Sequence, residues 1–120
     1  MDIVNLATTV SFTTKDGSSI RELLSNRNSG IRNQSLAEAT VPPGAKTLAH
    51  YHPSSEEIYY VLNGQGTMFL AGAMRLVGPG DAIAIPPGQV HWIENSTDAD
   101  LVFLCCCAPG YEHHDTVMVD

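Results

Sequence analysis

Clusters of turn-forming residues recur along the whole chain and limit its fold more than any other feature of the sequence. Between them lie short segments rich in Val, Ile, Tyr, Phe and Thr. Short strands separated by evenly spaced turns are typical of an antiparallel sandwich or barrel. The sequence therefore predicts a single all-β domain over residues 1–120, in which only Ser18–Leu24 fits a short helix. The turn clusters are Asp16-Gly17, Asn28–Gly30, Pro42–Gly44, Asn63–Gly66, Gly78–Asp81, Pro86–Gly88, Asn95–Asp98 and Pro109-Gly110.

Alternation within three segments indicates which side chains share a face of the sheet. In Arg32–Val41 one face carries the charges, so the small, uncharged face, with Ala37 and Ala39, should line the interior. Glu57–Leu62 is largely apolar on both faces. This pattern predicts that the barrel interior covers one face and a second layer or a partner chain covers the other. Leu101–Ala108 repeats the two-sided pattern.

The charge balance argues against two classes of partner. The 120-residue chain has a net charge of −7 and six lysines and arginines, whereas nucleic acids and anionic membranes bind clustered basic residues. No apolar run approaches the roughly eighteen residues of a spanning helix, and the N-terminus lacks the basic and apolar regions of a secretory signal. The consecutive Cys105-Cys106-Cys107 cannot form a disulfide framework. We therefore expect a cytoplasmic protein.

Three histidines and a glutamate form a candidate metal site. His50 and His52 alternate on one predicted strand, roughly 6.5–7 Å apart along the backbone, so their ring nitrogens can converge on one ion. A short loop lets Glu57 turn back towards them, and another strand can bring His91 across the barrel. Three imidazoles and a carboxylate suit a first-row divalent ion and leave open positions on it.

The spacing around these four residues resembles both motifs of the cupin superfamily. The first motif matches over Gly44, five residues, His50-x-His52, four residues, Glu57, six residues and Gly64. The second matches over Gly80, five residues, Pro86-x-Gly88, two residues, His91, three residues and Asn95. The resemblance, whose core spans residues 44–95, implies a jelly-roll-like double-stranded β-helix with His50, His52, Glu57 and His91 as metal ligands. Glu56 matches no ligand position and is interpreted as a solvent-facing loop residue.

The resemblance also implies which residues border the metal. If the last strand follows the usual cupin orientation, Phe103, Cys105 and Cys107 face inward. We therefore expect a ligand pocket lined by Ala37, Tyr59, Val61, Phe103 and Cys105. Because no activating base lies near the cysteines in sequence, their thiols are interpreted as inert. The C-terminal His113-His114-Asp115 is interpreted as a polar tail, with a lid over the barrel or a second metal site as alternatives.

The chemistry implied is that of one divalent ion, with Fe or Mn favoured and Ni, Cu or Zn as alternatives. Metal and Glu57 together leave a positive site, which favours a small anionic or diketone-like substrate. The apolar wall offers few proton donors, so an oxygenase is favoured over acid–base chemistry, for which only Glu56, His113 and His114 are candidates. The alternatives are a lyase, decarboxylase or isomerase of a small acid or sugar derivative, and a non-catalytic metal-dependent ligand-binding module.

Assembly is the last expectation. Leu36, Tyr60 and Trp92 alternate away from the interior and would leave an apolar patch on a monomer. Small cupins commonly form homodimers in which an N-terminal strand joins the partner's sheet. We therefore predict a two-fold homodimer, with strands from residues 1–30 exchanged and Ile3 to Val10 at or near the interface.

Overall fold

A computed structural model describes residues 1–119 of the chain. Eleven strands make up almost all of its regular structure. Two single-turn 3-10 helices, Leu6–Thr8 and His113–Asp115, are the only helices in this part of the chain. The strands are β1 (Phe12–Thr13), β2 (Ser19–Leu24), β3 (Ser35–Val41), β4 (His50–Tyr51), β5 (Glu56–Asn63), β6 (Gly66–Leu70), β7 (Ala73–Val77), β8 (Ala82–Ile85), β9 (His91–Glu94), β10 (Leu101–Ala108) and β11 (Val117–Met118).

The strands form two antiparallel sheets, which confirms the predicted all-β jelly-roll-like fold. One sheet has the order β1-β2-β3-β10-β5-β8 and the other the order β11-β4-β9-β6-β7. Neighbouring strands are mostly distant in sequence, as in β10 between β3 and β5. This topology places the ends of β4 and β9 in one sheet near β5 and β10 of the other.

The core fills the space between the sheets with the inward-facing residues of alternating strands. Its largest fully buried apolar side chains are Phe103, Ile93, Leu101, Val41 and Val61. Burying each such side chain contributes roughly 1.5–3 kcal/mol to the free energy of unfolding. The inward faces predicted for β3, β5 and β10 are confirmed, since alternate residues of each strand are buried, except that Ala37 and Cys105 are partly buried and line a cavity.

Buried polar side chains fix the loops that connect this core. Asn95, which follows β9, donates from its side chain to the backbone oxygens of Val41 at 2.9 Å and Ala99 at 2.8 Å. Thr47 accepts a hydrogen bond from the backbone N–H of Ile93 at 2.9 Å. Satisfied in this way, the buried groups hold the loops beside β4 and β9 in one arrangement.

The prediction of a helix at Ser18–Leu24 is wrong. Ser19–Leu24 forms β2, which pairs with β3, and Ile20 packs against the core opposite Ala39. The register of this pair shifts between Glu22 and Leu24. Such a bulge interrupts strict alternation in the sequence and obscures the strand pattern. Pairing with β3 therefore outweighs the weak local preference of this short segment.

The outer side of the six-stranded sheet carries a continuous group of apolar side chains. Cys106 of β10 lies between Leu36 of β3 and Ile58 of β5, and Leu104 lies opposite Tyr60. We call Leu36, Ile58, Tyr60, Leu104 and Cys106 the outer apolar face. Ile58 and Tyr60 are 51% and 43% exposed, so the single chain does not cover it.

The N-terminal arm before β1 adds further exposed apolar residues. Ile3 and Val10 are both largely exposed. Within the chain, β1 and β2 form a hairpin that pairs with β3, while residues 1–11 have no strand partner. Exchange of this region between subunits stays a prediction. No helix among the described residues is long and apolar enough to cross a membrane.

We predict that the outer apolar face is the interface of a homodimer. Light scattering should give a mass of twice 12.9 kDa, because a contiguous apolar surface of this kind marks an interaction site. Ile58→Glu should shift the protein to the monomer by placing a charge in the interface.

The matched control is Leu76→Glu, which changes an exposed residue of the other sheet and should leave the dimer intact. A monomeric wild type at micromolar concentration, or a monomer produced only by Leu76→Glu, would contradict the prediction.

Candidate metal centre

Three imidazoles meet where β4 and β9 pair. His50 of β4 is the register partner of His91 of β9, and His52 lies just beyond the end of β4. Their side chains are buried, with residue exposures of 2%, 5% and 0% for His50, His52 and His91. One ring nitrogen from each lies within 4.8 Å of those of the other two. The pair of strands thus brings together His50 and His91, which are 41 positions apart in sequence.

Each ring is held by a hydrogen bond from Nδ1 to a backbone oxygen. Nδ1 of His50 donates to Leu48 at 2.7 Å, that of His91 to Gln89 at 2.9 Å, and that of His52 to Asp115 at 3.1 Å. Because carbonyl oxygens only accept, Nδ1 carries the proton in each neutral ring and Nε2 carries a lone pair. This tautomer and orientation are those of metal-ligating histidines.

Glu57 faces two of the free Nε2 atoms from the opposite sheet. Its Oε1 lies 3.3 Å from Nε2 of His52 and 3.6 Å from Nε2 of His91. The other oxygen, Oε2, accepts a hydrogen bond from the thiol of Cys107 at 3.2 Å. Oε1 of Glu57 and Nε2 of His91 are both buried without a hydrogen-bond partner. Buried acceptors that face each other are stabilised only when a cation lies between them.

Charge and burial act together on the protonation of this group. Although burial alone would raise the pKa of Glu57, the neighbouring His52 and His91 lower it to about 2, so this carboxyl is ionised at neutral pH. Burial likewise works against the charged form of His52, but contact with Glu57 raises its pKa. Burial lowers the pKa of His50. In the absence of a metal ion, a proton on His52 is thus the cation that Glu57 attracts.

These residues fit a first-row divalent metal ion. The three Nε2 lone pairs and the ionised carboxylate, which include the two orphaned acceptors, form a mixed nitrogen and oxygen donor set. The three histidines are buried and close together, and Glu57 adjoins two of them. Glu56 is exposed, as predicted, but it opens β5 rather than lying in a loop.

Asp16 is a second carboxylate at this site, and it was missed in the sequence analysis. Its Oδ2 lies 3.7 Å from Nε2 of His50. Oδ1 accepts three hydrogen bonds, from the hydroxyl of Thr14 at 2.6 Å and from the hydroxyl and N–H of Ser18 at 2.6 and 2.9 Å. Since Oδ1 is fully used, Oδ2 is the oxygen left for the site.

The turn between β1 and β2 positions Asp16. Gly17 takes a φ of +89°, which side-chain-bearing residues rarely adopt, and its N–H donates to the backbone oxygen of Thr14. The backbone oxygen of Asp16 accepts from Leu48 at 2.7 Å, which joins this turn to the chain just before β4. A Thr-x-Asp-Gly-Ser sequence signals a hydrogen-bonded Asp turn, but nothing local shows that the turn lies over the histidines.

A cavity opens from this group of residues towards solvent. Its volume is about 600 Å³ when the adjoining open solvent is included. Four of the five predicted pocket residues line it, namely Ala37, Tyr59, Phe103 and Cys105, whereas Val61 lies in the hydrophobic core. Burial raises the pKa of the thiols of Cys105 and Cys107 well above their usual range, so both stay protonated. Asp16, Glu22, Tyr111 and Thr116 complete one side of the cavity.

The C-terminal segment contributes Tyr111 and Thr116 to the cavity lining and is not a free tail. We call residues 109–118 the C-terminal strap. Its β11 pairs with β4 next to His50, and Asp115 accepts hydrogen bonds from the N–H groups of Ser54 and Ser55 at 3.1 and 3.0 Å. The backbone oxygen of the same Asp115 holds Nδ1 of His52. The strap therefore supports a candidate metal ligand directly.

The other alternative for this segment was a second metal site. His113 and His114 are exposed, and within the described residues they join no group of three potential metal ligands. A lysine attaches the strap to the turn that carries Asp16, since Nζ of Lys15 donates to the backbone oxygen of Thr116 at 3.0 Å. Of the two alternatives to a simple tail, the structure favours the lid.

The cupin domain family model matches residues 37–107, more than half of the chain. This chain belongs to the cupin family. The match includes the three histidines and Glu57, while Asp16 and the C-terminal strap of this cupin lie outside it.

Individual relatives extend the similarity. An uncharacterised protein of Methanocaldococcus jannaschii is 52% identical over 110 residues, which cover 91% of this chain and 87% of the relative. The oxalate-binding protein of Thermotoga maritima is 34% identical over 82 residues, or 68% of each chain. Among solved structures, the polyketide cyclase RemF from Streptomyces resistomycificus superposes with a TM-score of 0.82 at 27% identity. The superposition covers all of this cupin and 86% of RemF.

We predict that metal affinity falls as the pH is lowered. The pKa of His52 is raised above 6.5, so its protonated form persists to higher pH and competes with the ion, whereas Glu57 stays ionised down to about pH 2. Metal content should be measured by elemental analysis after dialysis in steps from about pH 8 to about pH 5.

Two variants test the same site. His52→Ala should retain no metal at any pH in this range, because it loses a donor. Glu57→Gln should retain less metal at about pH 8, with a shallower pH dependence, because the carboxylate that raises the pKa of His52 is gone. A wild-type metal content that is constant down to about pH 5 would contradict the prediction.

We further predict that Asp115→Ala weakens metal binding about tenfold by freeing the strap that orients His52. Affinity should be measured by competition with a chelator, and strap mobility by hydrogen exchange of residues 109–118. His114→Ala, on the same 3-10 helix but exposed, is the control and should leave both unchanged. Equal effects of the two substitutions would show that the strap does not support the site.

Proposed function

We propose that this cupin is a metal-dependent enzyme that transfers protons on a small organic substrate, as an isomerase, lyase or decarboxylase does. The observation that carries the proposal is the position of Asp16. Its carboxylate is partly buried, and its Oδ2, which accepts no hydrogen bond, lies 3.7 Å from Nε2 of His50. The sequence favoured an oxygenase because it indicated no secure proton-transfer group beside the metal. The acid–base candidates predicted from the sequence are all exposed, namely Glu56, His113 and His114.

The residues of this chain divide the chemistry between them. His50, His52, His91 and Glu57 would hold the ion, which as a Lewis acid would make a C–H or O–H next to a bound substrate oxygen more acidic. Asp16 accepts that proton at Oδ2, while Thr14 and Ser18 hold Oδ1 in place. Returning the proton to another substrate atom is an isomerisation, and losing a leaving group instead is an elimination.

Tyr59 supplies a donor in the same cavity. Burial, together with the charge of Glu57, raises its pKa well above the usual range, so its hydroxyl stays protonated. The apolar wall formed by Ala37, Ala39 and Phe103 excludes water from the bound substrate. A small, largely apolar cavity with few polar groups is typical of a site for a small organic molecule.

The names of the similar proteins include non-oxygenase activities as well as a dioxygenase, the quercetin 2,3-dioxygenase of Bacillus subtilis. RemF is a polyketide cyclase and the Thermotoga relative is an oxalate-binding protein. The second name also supports the alternative of a binding module without turnover. An Fe- or Mn-dependent oxygenase is the second candidate function, favoured by the apolar wall, which suits dioxygen. We propose Fe or Mn as the resident ion, since both accept mixed imidazole and carboxylate donors.

Location is a further proposal. We propose that the protein is cytoplasmic, since its three cysteines are free thiols and free thiols persist in a reducing compartment.

The test is metal-dependent hydrogen exchange. Protein loaded with Mn(II) or Fe(II) should be incubated in deuterated water with pyruvate, dihydroxyacetone and acetylacetone, and deuterium uptake followed by mass spectrometry. We expect exchange in at least one probe, lowered about a hundredfold or more by Asp16→Asn when the two proteins are compared at equal metal content. His52→Ala should lose metal and exchange together, and Cys105→Ser should keep most of both.

The alternatives give different results. Oxygen uptake without exchange would identify the oxygenase, and saturable binding without either would identify the binding module. Loss of exchange in Cys105→Ser, with fold and metal intact, would assign a thiol role to a residue that the structure makes inert.

A further inference from the structure

We infer that the substrate of this cupin binds as an electrically neutral chelating ligand and not as a carboxylate anion. This inference rests on the proposed function and narrows its substrate class. It comes from the charges of the residues that line the cavity, some of which lie outside the sequence motif.

Acidic side chains line the cavity, and among residues 1–119 no lysine or arginine does. The acidic residues are Asp16, Glu22 and Glu57. Glu22, near the mouth, forms an ion pair with Arg27, which also contacts Glu112 at 3.3 Å. Arg27 therefore offsets part of the charge of Glu22, while the charges of Asp16 and Glu57 remain directed at the histidines.

The two remaining carboxylates offset the two positive charges of a divalent ion. With the histidines as neutral ligands, the loaded site has no net positive charge left for a substrate. Glu57 is the one carboxylate that the sequence motif places at the ion, and with Glu57 alone the site would attract anions. Asp16 reverses that expectation, because it brings a second negative charge to the same place.

The difference in charge between the two kinds of ligand has a large effect on affinity. Near a protein surface, two unit charges about 6 Å apart interact strongly enough to change an affinity by about tenfold to a hundredfold. A dicarboxylate would add two negative charges to a cavity with no arginine or lysine to meet them. A neutral ligand adds no charge to the cavity. This holds whether the ligand keeps its acidic proton or passes it to Asp16, because the proton stays in the cavity in both cases.

The chemical class that satisfies these conditions is a neutral molecule with two neighbouring oxygens and an acidic O–H or C–H. Hydroxyketones, β-diketones and their enols have this arrangement. The two neighbouring oxygens of such a ligand can lie towards the candidate metal centre, while its acidic hydrogen faces Oδ2 of Asp16. The apolar side chains of Ala37, Ala39 and Phe103 then contact the carbon skeleton.

The test compares two chelators on cobalt-loaded protein. Maltol, a neutral hydroxyketone, and oxalate should be titrated against the Co(II) form, and binding followed by the visible absorption of the ion. Each affinity is divided by the affinity of the same ligand for free Co(II) in the same buffer. We expect this relative affinity to be at least about tenfold higher for maltol than for oxalate.

Two isosteric variants locate the cause. Asp16→Asn should raise the relative affinity for oxalate by about tenfold or more, with a smaller change for maltol. Glu38→Gln removes the same charge from the outward side of β3, since Glu38 alternates with the inward Ala37 and Ala39, and should change neither ligand. Equal changes in both variants would mean that net charge, and not Asp16, sets the preference.

The inference is overturned if wild-type protein has the higher relative affinity for oxalate, and this comparison decides even if Asp16→Asn does not fold. The proposed function fails separately. Maltol preference without hydrogen exchange on any probe would refute the enzyme and leave the binding class standing. Exchange confined to pyruvate, together with oxalate preference, would support the enzyme and refute the neutral ligand.

Discussion

The pairing of β4 with β9 is the contact on which the rest of the site depends. It places His50 opposite His91, and each strand fixes its own ring, because Nδ1 bonds the backbone oxygen two residues earlier in both. The lone pairs on Nε2 then have one direction left, into the space between the sheets. Without this pairing, His52 and Glu57 would not lie beside the other two imidazoles, and no candidate metal centre would border the cavity.

Conflict between burial and polarity distinguishes this region from the apolar core. An ionised Glu57, three imidazoles and Asp16 are packed where most residues are hydrophobic, and two of their acceptor atoms lack a partner. Such an arrangement costs stability unless a cation compensates it. Burial of the surrounding apolar core, which includes Phe103 and Ile93, offsets this cost. The same imbalance that weakens the metal-free protein is what gives the site affinity for an ion.

The two ends of the chain complete the site that the central motif begins. The N-terminal hairpin supplies Asp16, and the C-terminal strap supplies the backbone oxygen that orients His52. Lys15 joins the two, since its ammonium group binds the strap while the next residue faces the cavity. Both elements lie outside the segment that matches the family model. The family motif thus contains the candidate metal ligands, whereas Asp16 and the strap beside the cavity come from its flanks.

The sequence by itself determined the all-β fold and the strands β3, β5 and β10, because alternation and turn residues are local properties that the chain displays directly. The histidines that meet were indicated by the resemblance to the two cupin motifs, which is a matter of residue spacing. The sequence did not reveal β2, whose bulge hides its alternation, and it gave Asp16 the appearance of an ordinary turn residue. The cavity charge, the orientation of each imidazole and the support of His52 by Asp115 were decided only by the tertiary structure. These features depend on contacts between residues tens of positions apart, such as Asp16 with His50 and His52 with Asp115, whose geometry is set by sheet pairing and not by neighbours in sequence.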